Sequence, residues 1–72
     1  MNTVTLRPYL PDDRRSLWRL AALDDRRVPA EPVLVAEADG RLVAAVSKRT
    51  GEVVADPFEP TAHLVEMLRV TP

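Results

Sequence analysis

The stretch Val33 to Ser47, VLVAEADGRLVAAVS, constrains the fold of this chain more than any other segment. It is two apolar runs separated by Asp39-Gly40. Both central residues of a type I′ turn need positive φ, and Asp-Gly is one of the few pairs that accept it readily. The stretch therefore predicts an antiparallel hairpin, with strands at Val33–Ala38 and Arg41–Ser47. The second run contains Leu42-Val43-Ala44-Ala45-Val46, apolar at every position. A strand with one wet face alternates, whereas a strand apolar on both faces is covered on both. The hairpin needs a layer above and a layer below, and the small Ala44 and Ala45 predict a close approach there.

The rest of the chain supplies those layers. Thr3 to Arg7 alternates, with Val4 and Leu6 on one face, as a half-buried strand does. Pro8 ends this strand or confines it to a sheet edge. Pro11 suits a first helical position, and Asp12 and Asp13 suit the positive end of a helix dipole. A helix is expected from there to about Asp25. Leu17, Leu20 and Ala21 lie on its apolar face with Trp18 beside them, while Arg14, Arg15, Arg19 and Arg26 fall mostly on the other. Val28-Pro29-Ala30-Glu31-Pro32 cannot continue a helix and reads as a stiff connector. After a turn at Lys48-Arg49-Thr50-Gly51, Glu52 to Asp56 predicts a third consecutive strand, stopped by Pro57. Pro60 fits the first position of a last helix. In that helix His63, Glu66 and Arg69 make a polar stripe, and Ala62, Leu64, Val65, Met67 and Leu68 cover the rest. Leu64 and Leu68 point inward; Val65 and Met67 then point partly elsewhere. The order β-α-β-β-β-α is that of a single α+β domain with a four-stranded, mostly antiparallel sheet.

Composition decides how such a domain is held together. There are three aromatic residues and no cysteine among the 72 residues. The core must be Val, Leu and Ala, with neither a disulfide nor a thiolate metal site to help. A domain of this size is near the lower limit for a single core. The wide apolar arc of the last helix therefore predicts a homodimer, in which a second copy covers that arc or pairs with an edge strand. Ten basic residues against eleven acidic ones leave a net charge of −1, which gives no electrostatic case for nucleic acid or a membrane surface. The apolar stretches are strand-length, far short of the roughly 20 residues of a membrane span. The N-terminus has no basic segment followed by an apolar one, so no signal peptide is read and a cytoplasmic location is expected.

Few residues suggest chemistry. His63 is the only histidine. With Glu66 one turn on it could act as a general base, or both could simply belong to the solvent stripe. Asp56 and Glu59 could be paired carboxylates; equally, Asp56 can turn the chain and Glu59 can favour the helix N-terminus. The arginines of the first helix could bind an anionic partner, but Asp12, Asp13, Asp24 and Asp25 lie close by in sequence and imply a mixed-charge, solvated face. Ser47 has no triad context, and no His/Asp/Glu set has metal-ligand spacing. No residue is assigned a catalytic, cofactor-binding or metal role.

Taken in order, these segments resemble the GNAT superfamily of N-acyltransferases. TLRPYLPDDRRSLWRLAALDD is similar to that family's opening, a strand ending in Leu-Arg-Pro or Ile-Arg-Pro, a Pro-Asp turn and an amphipathic helix. VLVAEADGRLVAAVS is similar to its second and third strands, and GEVVADPF occupies the place of its fourth. The resemblance spans about Thr3 to Phe58. It implies that the turn after the fourth strand should be glycine-rich, so that backbone N–H groups can hold the pyrophosphate of acetyl-coenzyme A. Here that turn is Asp56-Pro57-Phe58-Glu59-Pro60-Thr61-Ala62, without glycine or a basic residue. Its prolines remove two donors, and its two carboxylates place negative charge where a pyrophosphate would lie. In the family a carboxylate near the fourth strand often serves as base, and a further strand and helix follow, with a tyrosine that protonates the leaving thiolate. Residues 1–72 carry none of that later part, so the resemblance implies a family fold reduced to its N-terminal half. The expectation is a degenerate, non-catalytic interaction or regulatory module without a cofactor, self-associating and open to another protein partner. The alternative is an N-acetyltransferase, or a fragment of one, that uses acetyl-coenzyme A through an altered or shared site.

Overall fold

The computed structural model describes residues 3–72; Met1 and Asn2, at the head of the N-terminal segment read above, lie outside the described residues. Strand β1 (Val4–Pro8) leads through a 3-10 turn (Pro11–Asp13) into helix α1 (Arg14–Leu23). Strands β2 (Val33–Ala38), β3 (Arg41–Ser47) and β4 (Val53–Ala55) follow, then helix α2 (Ala62–Val70). The strands form one sheet in the order β1-β2-β3-β4, antiparallel throughout. The fold is the expected α+β arrangement in the expected order.

The hairpin is closed by two positive φ values, 50° at Asp39 and 84° at Gly40, as a type I′ turn requires. Asp39 also fastens β1. Its N–H donates to the Thr3 carbonyl at 2.9 Å, and its carboxylate accepts from the Thr3 N–H at 3.1 Å. Further along, the pairing of β2 and β3 slips by one residue: Ala36 opposes Ala44, but Glu37 opposes Leu42, leaving Val43 as an extra residue. Such a bulge lets two successive residues share a face. Val43 and Ala44 both turn toward α2, while Leu42 and Ala45 turn toward α1.

The helices cover opposite faces. Leu17, Leu20 and Ala21 of α1 pack on Val33, Val35, Ala45 and Val54. Leu64 and Leu68 of α2 pack on Ala36, Ala38, Val43, Ala44 and Val46. The centre of β3 is therefore sealed on both sides, and its alanines let each helix lie close to the sheet. Val4 and Leu6 face the α2 side, though β1 is an edge and Val4 stays partly exposed. Pro8, whose missing N–H would have faced outward from that edge, is accommodated as the last residue of β1.

Several boundaries differ from the sequence expectation. Helix α1 stops at Leu23 instead of Asp25, because Asp25 adopts a left-handed conformation at φ 51°. The Arg26 N–H then reaches back to the Ala21 carbonyl at 2.9 Å and the Asp25 N–H to the Ala22 carbonyl at 3.1 Å, which is a Schellman cap built on aspartate where glycine is usual. Strand β4 is shorter than Glu52–Asp56, although the Glu52 carbonyl and Asp56 N–H still bond to Ser47 and Val43 at its ends. Helix α2 begins at Ala62, not Pro60; Thr61 is its N-cap residue and accepts the first helical bond, from Val65 at 3.0 Å. Trp18 does not join the core: it is 63% exposed, because the inward stripe of α1 is filled by Leu17, Leu20 and Ala21. Val65, expected to point partly elsewhere, is half-buried against the α2-side core, and Met67 points outward at 46% exposure.

Two changes test this packing. Leu20→Ala and Leu68→Ala empty fully buried sites on opposite faces, so each should cost about 2–5 kcal/mol, read as a lower urea midpoint. Asp25→Gly should instead raise stability by about 0.5–1 kcal/mol by relieving the left-handed strain, read in the same assay.

Candidate functional site

The segment joining β4 to α2 is the place where the resemblance predicts a phosphate cradle. Three of its backbone donors, those of Asp56, Phe58 and Glu59, are committed internally. The Asp56 N–H bonds to the Val43 carbonyl at 2.8 Å. The Asp56 carboxylate accepts the Phe58 N–H at 2.8 Å, and its carbonyl accepts the Glu59 N–H at 3.3 Å. Pro57 and Pro60 have no N–H to offer. Asp56 is thus a buried turn residue, one of the two uses read for it in the sequence. Glu59, two residues before the N-cap Thr61, forms an ion pair with Arg41 of β3 at 2.8 Å. No close carboxylate pair forms with Asp56, because Asp56 turns inward to hold Phe58 while Glu59 reaches out to β3.

Beside this junction lies a small cavity of about 90 Å³, bounded by Ser16, Arg19, Leu20 and Leu23 of α1 and by Arg41, Leu42 and Asp56. Clefts that take a drug-sized ligand begin at roughly 300 Å³. A volume of this size suits a few waters among its charged walls, not a nucleotide cofactor.

The other sequence candidates separate. His63 is exposed on α2, and among the described residues no hydrogen bond or ion pair reaches its ring. Glu66 is drawn to Arg69 at 3.7 Å on the solvent side. Ser47 is buried as a structural hub: its hydroxyl donates to the Ala30 carbonyl at 2.6 Å and accepts the N–H groups of Arg49 and Thr50 at 3.2 and 3.1 Å. Among the described residues no three His, Asp or Glu side chains come together as metal ligands, and no helix is long and apolar enough to cross a membrane.

The strongest electrostatic feature was not foreseen. Asp13 does not merely face a helix dipole; it takes both forks of Arg7, at 2.7 and 2.8 Å, and the Leu10 N–H at 2.8 Å. Arg7 also reaches Glu37 at 3.4 Å. The Arg7 hydrogen bonds hold the Asp13 carboxyl below its usual pKa, against the opposing effect of burial and with help from the Leu10 amide. The same bonds, first to Asp13 and then to Glu37, raise the Arg7 pKa further. A second unforeseen cation is Lys48, whose ammonium donates to the carbonyls of Leu68 and Arg69, both at 3.1 Å, at the negative end of α2. Neither contact is local in sequence.

A third feature lies on the outer side of α1. Trp18, Ala21 and Ala22 form a shallow apolar groove with Val28, flanked by Arg26 and Arg27, with a volume of about 400 Å³. The sequence placed Trp18 beside the apolar face of α1 and did not indicate this groove. Comparison with protein-family models, with curated proteins and with solved structures gives no match to this chain.

The Arg7–Asp13 pair makes a pH prediction. A carboxyl whose pKa is lower in the folded than in the unfolded state stabilises above the unfolded value, about 3.9 for aspartate, and that contribution is lost as pH falls through the folded one. Asp13→Asn should therefore cost about 1–3 kcal/mol at pH 7. The gap to the parent chain should narrow below about pH 4. Urea midpoints measured from pH 7 down to 2 check this.

Proposed function

We propose that this chain is a non-catalytic interaction module, acyltransferase-like in the order of its elements, that self-associates. The observation that best supports this reading is the β4–α2 junction. An anion site of the kind the resemblance implies needs several free, convergent N–H groups with room for close approach. At this junction the amides of Asp56, Phe58 and Glu59 are already bonded within the fold, two positions are proline, and Glu59 is held in an ion pair with Arg41. The titratable groups with clearly shifted pKa, Arg7 and Asp13, are explained by the work they do in joining β1 to α1 and are not gathered in a ligand-sized cleft.

Surface apolarity supports the self-association. On α2, His63, Met67 and Val70 recur at i, i+4 and i+7 on the outer side, and Met67 and Val70 are 46% and 78% exposed. A second helix laid along this stripe would remove both from water, a gain of a few kcal/mol. Relative to the stability available to a domain of this size, that is a substantial increment. Phe58, 81% exposed at the tip of the β4–α2 turn, adds apolar surface without any intrachain partner that would explain it.

Two measurements separate this reading from an acetyl-coenzyme A enzyme. Calorimetric titration with acetyl-coenzyme A should give no isotherm tighter than about the millimolar range; clear micromolar binding would replace the module by the acyltransferase reading. Sedimentation at micromolar concentration should give the mass of a dimer, and Met67→Glu should return a folded monomer. A monomeric parent chain would remove self-association.

A further inference from the structure

We propose that the outer face of α1 is a docking site for an acidic segment of another protein that presents one large apolar side chain. The proposal rests on the interaction-module reading and names its partner surface. It starts from the groove beside Trp18, whose floor is Ala21 and Ala22 and whose far wall is Val28. Alanines leave space that a Leu or Phe side chain would fill, and the indole supplies a flat, amphipathic wall of the kind that dominates binding hot spots.

Charge selects the occupant. Counted along the sequence, the aspartates around α1 balance its arginines. In space they do not. Asp13 is turned inward to Arg7, and the Asp24 carboxylate accepts from the Ala55 N–H at 3.1 Å and pairs with the Arg26 guanidinium at 3.2 Å. Among the described residues, Arg14, Arg15, Arg19 and Arg27 have no carboxylate within ion-pair distance, and all four are exposed. Arg14 and Arg15, at i−4 and i−3, share a surface cleft with Trp18, and Arg27 lines the groove itself, whereas Arg19 is turned to the cavity beside Asp56. Guanidinium forks match carboxylates bidentately and lose little hydration in doing so. An apolar groove edged by the unpaired Arg27, with Arg14 and Arg15 beside its Trp18 wall, is complementary to glutamates and aspartates flanking an aliphatic or aromatic residue.

Two other polyanions fit less well. Single-stranded nucleic acid is gripped by a track of cations with successive aromatic platforms, whereas Trp18 is the one aromatic on α1, and Asp12 and Asp25 flank the arginine row at its two ends. An anionic membrane surface is entered by protruding apolar side chains along a helix face; here the apolar floor is recessed and made of alanine.

Trp18 is the only tryptophan of the chain, so its emission reports on this site and no other. The probe is a Trp-free peptide of about 15 residues, glutamate-rich around a single central leucine. Titrated into the full chain, it should shift Trp18 emission to the blue with an affinity in the micromolar range. The response should weaken about tenfold or more in the double variant Arg15→Glu/Arg27→Glu. Trp18→Ala, followed by calorimetry, should weaken binding similarly; both variants change exposed positions, and circular dichroism checks that they stay folded. A silent Trp18 up to about millimolar peptide, equal binding of a peptide with serine for leucine, or tighter binding of oligo-dT or phosphatidylserine vesicles would each overturn the proposal. An emission shift that depends on the protein's own concentration would assign the groove to a second copy and overturn it as well. Acetyl-coenzyme A is titrated in parallel by calorimetry: heat there removes the non-catalytic reading, whereas a silent Trp18 removes this surface alone.

Discussion

The rest of the structure depends on the Arg7–Asp13 pair. Arg7 is on the α1-facing side of β1, opposite Val35, and Asp13 closes the 3-10 turn that begins α1. The guanidinium holds the carboxylate through two bonds and reaches Glu37 of β2 with its remaining edge. One residue of an edge strand thereby ties the second strand to the first helix. The turn between them is short and carries two prolines, so α1 has one direction in which to leave it. That direction lays Leu17, Leu20 and Ala21 over β3 and β4. Ion pairs on open surface contribute little, but this one is largely buried, bidentate and satisfied on the acceptor side by the Leu10 amide. Losing one partner would leave the other desolvated without compensation.

The second constraint is the thinness of the centre. With three aromatic residues in the chain, all of them outside the fully buried set, the two cores must be assembled from many small contacts. The bulge at Val43 is what makes this possible. It sends Val43 and Ala44 to the same face, so α2 meets a valine and an alanine side by side, while Leu42 and Ala45 stay with α1. A regular strand would have put alternate residues on each side and left one helix over a shallower surface.

These details mark where the sequence could and could not be read. The Asp39-Gly40 hairpin, the doubly covered β3 and the inward residues of both helices follow from local rules, turn chemistry and periodicity, and they stand. The bulge is invisible in an all-apolar run, because no polar residue reveals the change of phase. The α1 cap was missed because Asp25 does the work of a glycine. The clamps made by Arg7 and Lys48 join residues far apart in the chain or on different elements, and no short-range pattern reports them. Trp18, read as lying beside the apolar face, was left open for a different reason: hydrophobicity says what a side chain tolerates, while three smaller residues fill the stripe that faces the sheet. At the β4–α2 junction the sequence was more informative, since proline removes a donor in any fold. Even there, the pairing of Glu59 with Arg41 depended on where β3 begins.

Charge is the property that changed most between sequence and structure. A net charge of −1 describes the chain as nearly neutral, and the aspartates bracketing α1 suggest local balance. Folding uses those carboxylates unequally. Asp13 and Asp24 are spent on the fold, one on β1 and one on the outward amide of the β4 edge, where it also blocks an otherwise free strand donor. Arg14, Arg15, Arg19 and Arg27 are not spent. A helix that is balanced in one dimension therefore presents a basic outer face in three, and the apolar groove lies within that face. The internal ion pairs that make α1 a structural element are also what leave its outer surface electrostatically incomplete. The same carboxylates cannot do both jobs, so stabilising the fold in this way sets up the surface at which a partner's carboxylates are wanted.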